Sequence, residues 1–241
     1  MIVSQASTQI ENNLLTALPT AGYQRLLPHL EFVNLLREQV LFDAEEVIEY
    51  VYFSNTALVS LIAIMGSGAV VEVGVVGKEG MVGLPVCWGG DTTTIQAIVQ
   101  IAGTALRMKA QPLKAEFNRG GALQQLLLRY TQALYTHTAH TAACNRMHTI
   151  EARLARWLLT VQDRINSDEL HLTQEFLSQM LGARRSGVTE AASTLSQAGM
   201  IYYSRGKITI CDRKALELTT CECYQTVKQE FARLLQIDDN D

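Results

Sequence analysis

The stretch from Leu172 to Cys211, LTQEFLSQMLGARRSGVTEAASTLSQAGMIYYSRGKITIC, constrains this chain most. Thr173 is a good N-cap, and Glu175 places a carboxylate in the first turn, where it suits the helix dipole. Phe176, Leu177, Met180 and Leu181 recur at helical spacing until Gly182 breaks the pattern. Val188, Ala191, Ala192 and Leu195 then form one face of a second helix, which Gly199 stops. Two β-rich runs follow, Ile201-Tyr202-Tyr203 and Ile208-Thr209-Ile210, around the turn Ser204-Arg205-Gly206-Lys207. Helix, turn, helix and basic-tipped hairpin in that order predict a winged helix-turn-helix.

The polar residues of this stretch point to nucleic acid. Arg184, Arg185, Ser186 and Thr189 gather at the start of the second helix, where helix-turn-helix proteins carry their base-reading groups. Arginine is the best single donor to the O6 and N7 edge of guanine. Thr173, Gln174, Arg205 and Lys207 are the expected phosphate contacts. Net charge supports the assignment once divided. The whole chain carries −4, but residues 145–214 hold 10 basic and 7 acidic groups, net +3. Residues 1–144 are net −3 and residues 215–241 net −4.

At these residues the chain resembles the Crp/Fnr family of bacterial transcription regulators. The resemblance rests on LTQEFLSQMLGARRSGVTEAASTLSQAGMI and the RGKITI wing, and extends more weakly over an N-terminal β-roll and a long central helix. It implies an α+β chain: a β-roll sensor over 21–118 behind an N-terminal arm (1–20), a dimerisation helix at 119–147, the winged helix at 148–212, and a C-terminal helix with an acidic tail at 213–241. Arg185 matches the family's guanine-reading arginine. The next family position is usually Glu; here it is Ser186, which implies a different operator.

The remaining sequence fits that plan. Residues 21–36 read as helical, and from about 39 to 108 β-branched runs such as Ala57–Met65 and Ala69–Val76 are joined by glycine turns. In the resembling family the segment around 74–94 holds a cyclic nucleotide through a Glu and an Arg-Ser pair. Here Met81 stands for the Glu, and Asp91-Thr92-Thr93-Thr94 for the Arg-Ser pair, so a cyclic nucleotide is not expected. The candidate effector pocket is Gly80, Met81, Gly83, Leu84, Thr92 and Thr93. Met81, Val82, Leu84, Val86, Cys87 and Trp88 would form an apolar, thiol-bearing lip suited to a neutral effector, or to none.

Leu123, Leu127, Tyr130, Leu134, His137, Thr141, Cys144 and His148 fall at steps of four and three, the spacing of a coiled-coil seam. They read as a dimer interface, against the simpler alternative of a helix packed on the roll. His137, His140, Cys144 and His148 share a face, which raises metal or redox chemistry; interface packing explains them as well, and no metal or other cofactor is assigned. Ile150, Leu154, Trp157, Leu158, Val161 and Ile165 form an inward face, with Arg153, Arg156 and Arg164 on the polar side. In the final helix Cys221 and Cys223, two apart, should point to different faces and make a surface thiol pair.

Catalysis is not expected, because the roll has no histidine between 30 and 136 and no nucleophile elbow, P-loop or carboxylate pair is present. Five cysteines without disulfide spacing, and no apolar run long enough to span a bilayer, suit a cytoplasmic protein with no membrane partner. The expected partners are double-stranded DNA with a pseudo-palindromic operator and a second copy of the chain, RNA polymerase being a further candidate. The other function class open to this sequence is a ligand-binding signalling module that acts on a protein partner without DNA.

Overall fold

Two four-stranded antiparallel sheets face each other at the N-terminal end of the structure, a computed structural model that describes residues 10–165 and 167–236. One runs β1 (Glu31–Leu35), β8 (Gly103–Lys109), β3 (Tyr50–Ser54), β6 (Met81–Val82); the other β2 (Val40–Phe42), β7 (Ile95–Ile101), β4 (Leu58–Ile64), β5 (Val70–Val76). The glycine turn between β4 and β5 closes as the sequence predicts, with Met65 N donating to Ala69 O (2.8 Å) and Gly68 at φ 82°. Inward residues such as Val51, Phe53, Val59, Val76, Met81, Val99 and Met108 fill the space between the sheets. This is the β-roll.

Its N-terminal edge corrects the expected arm and helix. Residues 1–9 of the arm lie outside the described residues, but from Asn12 onward the chain is docked. Asn12 caps α1 (Asn13–Thr16), its Oδ1 accepting from Leu14 N and Leu15 N. Its Nδ2 donates to Ser54 O (2.9 Å) and Gly80 O (2.8 Å), so the buried amide is satisfied at both ends. Leu14 and Leu15 are thereby sealed into the roll core. Residues 21–36, read as helical, divide into α2 (Thr20–Leu26), a 3-10 turn around Pro28, and β1. Pro28 ends the helical stretch, and β1 then pairs with β8 from Glu31 to Leu35.

Beyond the roll come α3 (Ala110–Asn118) and the long α4 (Ala122–Met147). The predicted seam of α4 is real, but it faces inward. Leu123, Leu127, Tyr130, Leu134, His137, Thr141 and Cys144 are all buried within this one chain. Their partners are the roll and the last helix, α9 (Glu222–Leu235), which lies along α4 and sends Val227, Phe231, Leu234 and Leu235 into the roll core. A four-three spacing reads the same whether a second copy or the chain's own elements cover it. The expected single helix after the wing is two, α8 (Arg213–Thr219) and α9, parted at Thr220-Cys221.

A second core lies under the C-terminal half. Leu154, Trp157, Leu158 and Val161 of α5 (Ile150–Ile165) pack on Leu177 and Leu181 of α6 (Gln174–Leu181) and on Val188, Ala191 and Leu195 of α7 (Arg185–Gln197). The three-stranded sheet β10 (Ile201–Ser204), β11 (Lys207–Ile210), β9 (Glu169–His171) completes it. Leu58, Ile62 and Val75 of the roll belong to the same cluster, so this head is docked on the roll. Arg153, Arg156 and Arg164, assigned to a polar face, are buried in that arrangement. Arg153 donates to Leu181 O, and Arg164 pairs with Glu79 of the roll at 2.6 Å. The helix periodicity is right, but its second face is covered by a neighbour too.

Candidate nucleic-acid interface

The helix-turn-helix and wing form as their local chemistry dictates. Thr173 Oγ1 accepts from Phe176 N at 3.1 Å and starts α6; Gly182, at φ 53°, ends it in the left-handed conformation that glycine adopts without strain. Arg184, extended at φ −67°, ψ 140°, precedes α7 and makes no side-chain cap, so the first-turn amides of α7 stay unsatisfied by side chains. Gly187 fixes how deep α7 sits: a Cβ there would come within 2.6 Å of Ile150 Cδ1. At the wing tip, Arg205 and Gly206 both take positive φ, 50° and 75°, which turns β10 into β11 in two residues.

These elements bring the predicted residues together. Thr173, Gln174, Arg185, Tyr203, Arg205 and Gly206 line an open hollow of ≈ 400 Å³ between the start of α7 and the wing. Thr189 Oγ1 sits 3.0 Å from Gln174 Oε1, which ties α7 to α6, and 2.9 Å from Arg185 O within α7. Arg184, Ser186 and Thr189 are exposed beside the hollow. Arg185 is held only loosely, with Glu175 Oε2 3.9 Å away and both side chains exposed. Lys207 is within 2.7 Å of Glu169, also at the surface. Ion pairs of this kind contribute little and exchange readily for a phosphate.

Sequence reasoning missed Tyr203. Its Oη donates to Leu172 O (3.2 Å), and burial pushes the phenol up against the opposing charge of Arg185. Within the β-rich run Ile201-Tyr202-Tyr203, Tyr203 is half-buried and lines the hollow.

The six effector residues do not gather in this way. A Cβ on Gly80 would stand 2.2 Å from Tyr130 Oη, and one on Gly83 2.9 Å from Val51 Cγ1. Met81 and Leu84 are core residues, as are Val82 and Val86 of the expected lip, while Thr92 is exposed and Thr93 half-buried. Trp88 is exposed, its Nε1 donating to Thr131 Oγ1 at 3.3 Å. A second hollow of ≈ 220 Å³, beside Tyr50 and Arg107, is lined by none of the six; Arg107 there is committed to Glu31 at 2.8 Å and lies over the Tyr50 ring.

The cysteines and histidines also regroup. His137 is buried against Phe231, and its imidazole is held well below the usual histidine range by burial and by Arg164 and Arg156. Cys144 and His148 instead meet Cys221 and Cys223, far along the chain. The surface thiol pair is therefore corrected: both cysteines are buried. Cys221 is the extended N-cap of α9 (φ −89°, ψ 165°), so helical spacing does not govern where the two side chains point.

A tri-helical head with a two-stranded wing, opening a cation-bearing hollow at the start of its second helix, defines the class of winged helix-turn-helix DNA-binding domains. Residues 152–219 match the family model of the Crp-like helix-turn-helix domain. The whole fold is that of Crp/Fnr regulators. It is similar to FixK2 from Bradyrhizobium japonicum (17% identity, TM-score 0.66, covering 80% of this chain and 98% of that one). It is also similar to a CRP-family transcriptional regulator of Thermus thermophilus (17%, TM-score 0.63, 78% and 95%). A third similar structure is the c-di-GMP responsive global regulator CLP of Xanthomonas campestris (14%, TM-score 0.62, 80% and 99%). A search of curated sequences gave no significant match.

Proposed function

We propose that this chain is a homodimeric, sequence-specific DNA-binding transcription regulator. The observation that carries the reading is the hollow framed by Gln174, Arg185 and Arg205, with uncapped helix amides and weakly held cations facing outward. Arg185 reads a base edge, with Arg184, Ser186 and Thr189 beside it; Thr173, Gln174, Arg205 and Lys207 hold phosphates. One such head discriminates little, so two must act together on half-sites about one DNA turn apart. The exposed face of α4 suits that pairing. Leu128, Gln132, Tyr135, Ala139, Ala142 and Arg146 lie at steps of four and three on the side away from the roll, and Leu128 and Tyr135 are large apolar groups left in solvent.

The roll acts without a cyclic nucleotide in this reading. A buried phosphate needs cations or a set of amides, yet Gly80, Met81, Gly83 and Leu84 are packed against core side chains, and Glu79 already engages Arg164. Five free thiols fit a reducing compartment such as the cytoplasm, and no helix among the described residues is long and apolar enough to cross a membrane. RNA polymerase is the natural further partner of a regulator so built.

Selection from random genomic fragments by gel shift at moderate salt tests the reading. Recovery of a two-fold-symmetric motif is expected. Binding that stays equally weak on every fragment would overturn it in favour of a signalling module acting on a protein partner.

A further inference from the structure

The C-terminal end of α4 and the N-terminal end of α9 bring three thiols and an imidazole to one point. Cys144 lies in the last turn of α4, and His148 caps that helix with an extended backbone (φ −111°, ψ 155°). Cys221 caps α9 and Cys223 lies in its first turn. Cys144 Sγ is 3.5 Å from Cys221 Sγ, Cys223 Sγ is 4.0 Å from His148 Nδ1, and the four donor atoms all lie within 4.8 Å of one another. The three thiols are free and buried, and His148 is half-buried. We propose that Cys144, His148, Cys221 and Cys223 form a closed tetrahedral site for one zinc-class divalent ion.

The spacing selects this chemistry. Ligands about 2.0–2.3 Å from a tetrahedral centre lie about 3.5–3.8 Å apart, so atoms already within 4.8 Å need only small side-chain rotations. An iron–sulfur cluster spreads its four ligands over two or more irons and needs a wider frame. Three thiolates and one imidazole are the soft ligands of structural zinc, and four protein donors leave no position open for a reacting water.

The surroundings complete the site. His148 presents Nδ1 to the thiols, and its Nε2 is 3.3 Å from Glu222 Oε2. That is the carboxylate–histidine arrangement that fixes the tautomer of a metal-binding imidazole. Binding releases the thiol protons, and a divalent ion with three thiolates carries one net negative charge. Arg153 and Arg156 are buried nearby, with Nε atoms that have no hydrogen-bond partner among the described residues. Arg156 is close enough to act electrostatically on both Cys144 and Cys223. The ion joins the hinge between α4 and α5 to the start of α9, and so clasps the head to the helix that carries it.

The test uses the full untagged chain, purified under reducing conditions without chelator and supplied with zinc. Elemental analysis is expected to find one zinc per chain, with neither iron nor acid-labile sulfide. Titration with a thiol-binding mercurial should release the zinc in step with three thiols. Cobalt substitution should give intense sulfur-to-cobalt charge transfer with tetrahedral d–d bands. Cys223→Ser and His148→Gln should lose the ion, Glu222→Gln should weaken binding about 10–100-fold, and Cys211→Ser should retain it fully. If the ligand variants fail to fold, the wild-type stoichiometry and cobalt spectrum decide alone. Zinc-free protein after zinc supply, iron with labile sulfide, or a Cys144–Cys221 disulfide in the reduced preparation would each overturn the proposal.

Discussion

Arg164 Nε lies 2.6 Å from Glu79 Oε1, and that contact joins the winged-helix head to the roll. Both groups are buried, the Glu79 carboxylate also accepts from Gly77 N at 3.1 Å, and the guanidinium lies over the Phe231 ring. One ion pair therefore touches head, roll and C-terminal helix together. Removing the carboxylate strands a buried cation. Glu79→Ala should cost about 3–5 kcal/mol, read as a lowered denaturant midpoint. A loss under about 1 kcal/mol would mean that water reaches Arg164.

Glu72 makes docking pH-dependent. Its carboxylate accepts from Trp157 Nε1 (2.9 Å) of the head and Ser60 Oγ (2.7 Å) of the roll. Burial pushes the carboxyl up to about 7, against those hydrogen bonds and the charges of Arg156 and Arg164. Between 4.5 and about 7 the folded chain keeps a proton there that the unfolded chain has lost. The contribution of Glu72 to stability therefore falls as pH rises through that window and is level above it. Glu72→Gln removes this slope. Denaturant titrations should show the variant-minus-wild-type stability rising from pH 4.5 to about 7 and flat beyond; a difference independent of pH would exclude Glu72 as the source.

Readout and attachment should separate by substitution. Arg185→Ala should cost about 1–3 kcal/mol on the selected site and relax preference at one base pair per half-site. Lys207→Ala should weaken all sequences alike and reduce the salt slope by about one. Equal losses for Arg185→Ala on specific and random DNA would place it on phosphate.

The two faces of α4 predict opposite outcomes. Tyr135→Glu on the exposed face should convert a particle of twice 26.7 kDa into a folded monomer by light scattering. Leu127→Glu on the buried face should prevent folding. A wild-type monomer at micromolar concentration would remove α4 as a dimer surface.

Calorimetry with cyclic AMP and cyclic GMP at millimolar concentration should give no saturable heat. Heat coupled to tighter operator binding would show that the packed segment from Gly80 to Leu84 opens for a nucleotide.

What was legible in the sequence was local. The winged helix follows from Thr173, Gly182, Gly199 and the Arg205-Gly206 turn, each acting within a few residues of itself. The β4–β5 hairpin was equally plain. What was not legible depended on pairing over long separations. The periodicity of α4 specified a buried stripe but not what covers it, and α9 could not be foreseen there. Arg153, Arg156 and Arg164 sit on the side opposite the apolar stripe, yet a second neighbour buries them. The thiol cluster joins residues 77 apart: spacing on α4 grouped Cys144 and His148 with His137 and His140, and the two-residue spacing of Cys221 and Cys223 argued for different faces.

The return of α9 to the roll has a consequence for how the chain is made. Phe231 packs edge-on against Tyr130 at 6.4 Å, and Val227, Leu234 and Leu235 fill the same core. A chain emerging from the ribosome completes the sheets of its first domain early but must wait for its last residues to seal them. The head, begun later, holds all of its own core residues by Tyr224 and can close first. Order of synthesis and order of completion are thus reversed, and a nascent chain stopped between Tyr224 and Val227 would carry a finished head on an unfinished roll.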